Sequence, residues 1–379
     1  FIFNFIDRSV SNIFIIITLI LCLVDYKRLY QIMIANSKLV ISIFFFSFYI
    51  ALLGVYHNSP FGELDNYFRF LFLLPLLSIS LKESHIIKLI SVCALSGLLH
   101  ALYSNGFYDF FHEFRDDDHI YFIRYGGTSS TPATYANMCA TLFIISIYYM
   151  LYKNNKPIYL MLSAFVFLTL YISTVTRGPI IGLTLAAAYL IYEVMRKNDS
   201  KISIKLVTGL ISTFIIIMIT VPNPLSERLR QTDINFSEPS KIMDFSLRER
   251  VYYTLYGLQE IKHNYLTGVA PQNVEDRLSE YLNQNLIDTE DSQVNAQDHL
   301  HNDFIDISLK FGLPSLILLF LIYFFLIYGK NPENRVLLKI LMIMLISSQL
   351  TQSHFAHHQA ITFFIVLFYL FQNKIPSVK

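Results

Sequence analysis

The sequence predicts an all-α polytopic membrane protein, on three observations. The chain of 379 residues is 54% hydrophobic and only 15% charged, where soluble domains carry about 25% charged residues. Its apolar residues gather into runs long enough to cross the roughly 30 Å hydrocarbon core as helices. The lysines between the runs, with several of the arginines, concentrate in alternate loops, matching the basic excess expected on the cytoplasmic side of a bilayer.

The runs lie near 9–25, 38–56, 67–81, 84–104, 133–152, 157–176, 178–195, 203–221, 311–328, 336–352 and 356–372. They predict about eleven helices; the run at 67–81 is short, and extends outward or tilts. Counting loops alternately puts Lys27, Arg28 and Lys38 on one side, with Lys82, Lys88, Lys153 and Lys156. Arg196, Lys197, Lys201, Lys205, Lys330, Arg335, Lys339, Lys374 and Lys379 join them. Lys241, Lys262 and Lys310 lie in 222–310, a segment too long for the rule to govern. The long connections at 105–132 and 222–310 then face outward, as does residue 1. An outward start with no cleavable signal pattern predicts one further helix upstream of Phe1, about twelve in all. The organisation expected is membrane helices over 1–221, a large outward loop over 222–310, and C-terminal membrane helices over 311–379. Within the loop, 246–264 reads as an amphipathic helix with Val251, Leu255 and Leu258 on one side, and 274–286 as a second.

Composition excludes several function classes. The net charge of +1 gives no footprint for nucleic acid. Cys22, Cys93 and Cys139 all fall in apolar stretches, with neither a disulfide framework nor metal-ligand spacing. No P-loop or dinucleotide fingerprint is present. With no tryptophan, the 25 tyrosines must supply the interfacial aromatic belt.

The outward arginines are few enough to take singly. Arg177, in "STVTRGPIIGL", sits between two apolar runs, and Gly178 and Pro179 mark a tight turn with proline in the first turn of the next helix. A buried arginine is costly in a membrane, and a merely snorkelling cation would not need such a turn. Arg124, in "IRYGGTSSTPATYANM", precedes glycines and hydroxyl residues suited to an oxyanion, although such loops usually only turn the chain. Arg250 lies on the amphipathic segment, where a solvated helix face is the plain alternative. Arg69, in "DNYFRFLF", reads chiefly as a snorkelling residue. The run "RDDD" (115–118) can be a magnesium or manganese site, but a solvated loop is the commoner meaning. "SHFAHHQ" (353–359) has no standard ligand spacing, and its role is open.

The stretch "DHLHNDFIDISLKFG" (298–312) places His299 and His301 at the lip of a membrane helix. A metal there needs a third ligand; no Cys or HExxH-type partner is near, and Asp303 or a distant His would have to serve. Helix capping suits Asn302 or Asp303 but leaves His301 unexplained. A general base fits better, because imidazole titrates near neutral pH and the position shares a membrane face with Arg177 and Arg124.

This set of elements resembles the O-antigen ligases and their relatives the O-antigen polymerases. The likeness rests on Arg124 before a Gly-rich outward loop, "TR" at a tight turn (Arg177), "SLRER" opening the large loop (Arg250) and "HLHND…LKFGL" closing it. The last of these points to the ligases. The resemblance implies a GT-C-like fold and an inverting, metal-independent glycosyl transfer in the bacterial inner membrane, with the active site facing the periplasm. It implies O-antigen on undecaprenyl diphosphate as donor and a sugar hydroxyl of lipid A–core as acceptor, with no cofactor. On that pattern His301 takes the acceptor proton, Arg177 and Arg250 hold the diphosphate, and Arg124 assists. His299, Asn302 and Arg69 are further candidates. Two other functions remain: a polymerase extending lipid-linked repeats, and a non-enzymatic polysaccharide transporter. A transporter should carry charges deep in several helices, whereas here they gather at one face.

Overall fold

The computed structural model describes residues 8–79, 81–103, 114–116, 119–121, 131–153, 155, 158–174, 176–197, 245–285, 296–328 and 334–372. These are helical apart from one short antiparallel ribbon. The first half contains α1 (Arg8–Val24), α2 (Tyr26–Ala35), α3 (Ser37–Tyr56), the single turns α4 (Phe61–Leu64) and α5 (Arg69–Phe72), and α6 (Glu83–Tyr103). The ribbon follows, β1 (Phe114–Asp116) against β2 (His119–Tyr121), with Arg115 opposite Ile120. Then come α7 (Pro132–Leu151), α8 (Ile158–Ser173), α9 (Gly178–Lys197), α10 (Phe245–His263), α11 (Val274–Asn285), α12 (Asp303–Ile327), α13 (Arg335–Gln349) and α14 (His358–Gln372).

Among the described residues, five helices are long and apolar enough to cross a membrane: α3, α6, α7, α9 and α12. The C-terminal part of α1, α8 and α14 are shorter apolar helices. This is the character of a multi-pass membrane protein. The expected span at 203–221 lies outside the described residues. The expected span at 67–81 is a correction: this stretch is not one helix. It breaks into α5 and a 3-10 turn at Leu74–Ser78 with Pro75 at its start, because proline cannot continue the preceding hydrogen-bond ladder. The pieces are nevertheless buried, and α1, α2 and α14 all pack against the 3-10 turn.

The most enclosed helix is α7, buried over most of its length between α6, α8, α9, α13 and α14. One hydrophobic core runs from Cys22 on α1 to Phe371 on α14. A second, smaller core joins Tyr252, Tyr253 and Tyr256 of α10 to Leu278 and Leu282 of α11 and to Leu300 and Leu309. The face of α10 that is buried therefore differs from expectation. Val251, Tyr252, Tyr253 and Tyr256 carry it, while Leu258 is 55% exposed. Helix α12 connects the two cores and crosses the expected boundary at 310. Its helical path breaks at Gly312, where φ is +71°, just before Pro314.

Candidate functional site

The site is built around residues 298–302, ahead of α12. Asn302 caps that helix: its side-chain oxygen accepts from the backbone N–H groups of Phe304 and Ile305 at 3.1 and 3.2 Å, satisfying two of the donors a helix start leaves unpaired. Asp306, one turn in, accepts from the N–H of Leu300 at 3.3 Å and pairs with Lys310 at 3.1 Å. Two acids in the first turns also suit the positive end of the helix dipole. Held at both sides, His301 takes φ +54°. Left-handed backbone is costly for a residue other than glycine, about 1–3 kcal/mol, and here it turns the imidazole onto α10.

The ring of His301 stacks on Tyr253 with centroids 6.0 Å apart. It meets His299 edge to face at 4.8 Å, and His299 meets His357 at 5.4 Å. Burial holds the His301 pKa down to about 3, and His299, the Arg250 guanidinium and His357 add to that effect. Burial likewise holds His357 at about 4. At neutral pH both rings are therefore uncharged, and a neutral imidazole can accept a proton. Among the described residues, Nδ1 of His301 and Nε2 of His299 are buried without a hydrogen-bond partner. His299 Nδ1 lies 2.6 Å from Asp298 Oδ1, a contact that is the largest cause of the Asp298 pKa falling to about 2. No group of three His, Cys, Asp or Glu side chains among the described residues is arranged to hold a metal ion.

One of the expected arginines, Arg250, reaches this loop, and a second, Arg177, lies beside the connection that the loop also contacts. Arg250 stands one helical turn before Tyr253 on α10 and acts electrostatically on His301. Arg177 precedes α9, whose first turn closes on the Arg177 carbonyl through Ile180. The next residue, Gly178, lies against Thr351, and the Asn302 amide donates to the neighbouring Leu350 carbonyl at 3.3 Å. The Arg177 turn and the histidine loop thus flank the same connection, residues 350–357. Arg69 is engaged elsewhere, with Asp65 at 3.5 Å and with Thr362 on α14 at 3.3 Å. Arg124, Asp117 and Asp118 lie outside the described residues. Thr131, at the end of the Gly/Ser/Thr stretch, accepts from Gln352 of the same connection at 3.2 Å.

That connection is the hub the sequence did not reveal. Gln352 accepts from Asn137 of α7, and the Phe355 N–H donates to Asp303. His354 is fully buried, 2.9 Å from the Ser348 hydroxyl and 3.7 Å from Asp303. Burial holds His354 at about 4, so at neutral pH the ring is uncharged and its contact with Asp303 is not an ion pair.

Residues 162–320 match a family model described as O-Antigen ligase. Over that stretch the chain is similar to the O-antigen ligase family. The matched region begins inside α8 and ends inside α12. It therefore contains Arg177, Arg250, Tyr253 and the whole of 298–302, but neither Arg69 nor the hub at 350–357. No curated protein matches the chain.

Asp298 and Tyr253 were not singled out by sequence, and His357 only as one of the histidines of 353–359 with no role assigned. Asp298 could have been, being adjacent to His299, and Tyr253 could have been, one helical turn from Arg250. His357 lies in the histidine cluster 353–359, whose composition was visible but whose partner, His299, lies on a distant segment.

Proposed function

We propose that the protein is an inverting glycosyltransferase of lipopolysaccharide biosynthesis. It moves O-antigen from undecaprenyl diphosphate to a sugar hydroxyl of lipid A–core, at the periplasmic face of the bacterial inner membrane. The observation that carries this is a neutral, buried imidazole at His301 packed between Tyr253 and His299 beside the Arg250 cation, inside the matched region. His301 takes the proton of the acceptor hydroxyl as its oxygen attacks the anomeric carbon. The bond from that carbon to the diphosphate oxygen breaks on the opposite face. Charge rises on the departing undecaprenyl diphosphate, and arginine forks match its oxygens. Arg177 and Arg250 fill that role, with Arg124 assisting. An anion bound beside Arg250 offsets the cation's field and makes His301 a stronger base, so donor binding prepares the base.

A second assignment of the base has one observation in its favour. His299 is held at Nδ1 by Asp298, and its Nε2 makes no hydrogen bond among the described residues, the arrangement in which a carboxylate orients an imidazole for proton abstraction. The test of the function is transfer, by purified protein, of a defined undecaprenyl-diphosphate glycan onto lipid A–core, with the product linkage determined. Product on lipid A–core supports the ligase. Growth of the lipid-linked glycan alone identifies a polymerase, and no product with either acceptor leaves the transporter.

A further inference from the structure

Residues 264–270 join α10 to the 3-10 turn at Pro271–Asn273, inside the long loop expected to stand in water. The contacts of this segment place it elsewhere. Tyr49, on α3, donates its hydroxyl to the Leu266 carbonyl at 2.8 Å, and the ring of His57, at the end of α3, lies 2.9 Å from the Thr267 carbonyl. Leu266 and Thr267 therefore run alongside the last two turns of α3. The chain then climbs again, since Gln272 bonds the His57 carbonyl and Ser59.

Those last turns are apolar on their outer face. Phe45, Phe48, Leu52 and Val55 form one exposed stripe along α3, and Leu313, Ile317, Phe320 and Phe324 form another along α12. Both stripes belong to helices long and apolar enough to span a membrane, so lipid covers them. Leu266 is 56% exposed and Tyr265 53% exposed, and both sit where the two helices meet.

The broken path of α12 gives an independent reason for the placement. From Leu313 to Ile327 a helix rises only about 22 Å at 1.5 Å per residue, short of the roughly 30 Å hydrocarbon core. The break at Gly312 thus falls within the apolar thickness, where backbone polar groups must be satisfied by protein. The 264–269 segment satisfies them. The Val269 N–H donates to the Leu309 carbonyl at 2.7 Å, and the Leu313 N–H donates to the Tyr265 carbonyl at 2.8 Å. Gly268 and Gly312 allow the approach: each has positive φ, and a Cβ on either would collide with the facing backbone.

We propose that residues 264–268 form a re-entrant tip inserted into the acyl-chain region, with Tyr265 and Leu266 contacting lipid directly. The tip fixes the depth of α10, and with it the height of Arg250 and Tyr253 above the apolar boundary. The proposal stands on geometry independent of the transfer reaction.

The chain contains no tryptophan, so one introduced residue reports alone. Leu266→Trp, Tyr265→Trp and a control on the polar face of α11, Glu280→Trp, are made in the full chain. They are reconstituted into phosphatidylcholine vesicles with or without bromine on the acyl chains. The tip tryptophans should be quenched by brominated lipid several-fold more than the control, and should resist aqueous acrylamide. The control should show the reverse. Acrylamide access equal to the control, with no bromine quenching at either tip position, overturns the proposal. Two tip positions guard against one variant failing to fold.

Discussion

Tyr253 and His301 lie face to face, 6.0 Å between centroids and 19° from parallel. This contact, beside those of Leu300 and Leu309 with α10, ties the amphipathic helix of the large loop to the lip of α12 and turns the imidazole toward α10. Tyr253→Phe keeps the stack, and transfer should change little. Tyr253→Ala leaves the ring of His301 unsupported, and transfer should fall at least about tenfold, since about 1 Å of misplacement in a catalytic group is that costly. Equal rates for the two variants would remove the stack from the account.

Gly312→Ala tests the interlock between α12 and the 264–269 segment. A Cβ there meets the Leu266 carbonyl, and the backbone conformation is one that only glycine adopts without strain. The variant should lose thermal stability by about 1–3 kcal/mol or more, read as a lower melting point in detergent. Gly62→Ala, where a Cβ meets nothing, should be neutral.

The buried histidine of the hub predicts a pH dependence of stability. Burial keeps His354 neutral in the folded protein down to about pH 4, while the unfolded chain protonates it near 6.5. The unfolded state therefore binds more protons between those values, and stability falls as pH is lowered through that window. His354→Gln should flatten the fall between pH 6.5 and 4 in a thermal melt. An unchanged slope would show that His354 is not held neutral.

Transfer should need no divalent metal, an expectation resting on the ligand spacing in the sequence and on the family resemblance. Activity should survive excess EDTA. Loss in EDTA with recovery in Mg²⁺ or Mn²⁺ would move attention to Asp116, Asp117 and Asp118.

How far sequence reached depends on the range of each interaction. The spans at α3, α7, α9 and α12 were legible because each is a continuous apolar run, and the run itself is the signal. The amphipathic pattern of α10 puts Val251, Leu255 and Leu258 on one side, and of these Val251 is buried while Leu255 and Leu258 are exposed. In a protein bounded by lipid, exposed Leu258 costs nothing, while Tyr252, Tyr253 and Tyr256 pack inward. The stretch at 67–81 was apolar enough to be taken for a span, and Pro75 was the signal that broke it. His299, His301, Arg177 and Arg250 could be picked out as charged or titratable groups in unusual local company. The histidines of 353–359 were visible but not their role, since Gln352, His354 and His357 find their partners on α7, α12 and the histidine loop, and only folding brings those together.

The most direct test of the central claim pairs donor binding with transfer in His301→Ala and Arg177→Ala. If His301 is the base, His301→Ala should bind undecaprenyl-diphosphate glycan as the native protein does and lose about 10²–10⁴ in transfer rate, with His299→Ala and Asp298→Asn milder. Arg177→Ala should lose donor binding itself. A His301→Ala protein that still transfers, or one that loses donor binding as fully as Arg177→Ala, would contradict the assignment.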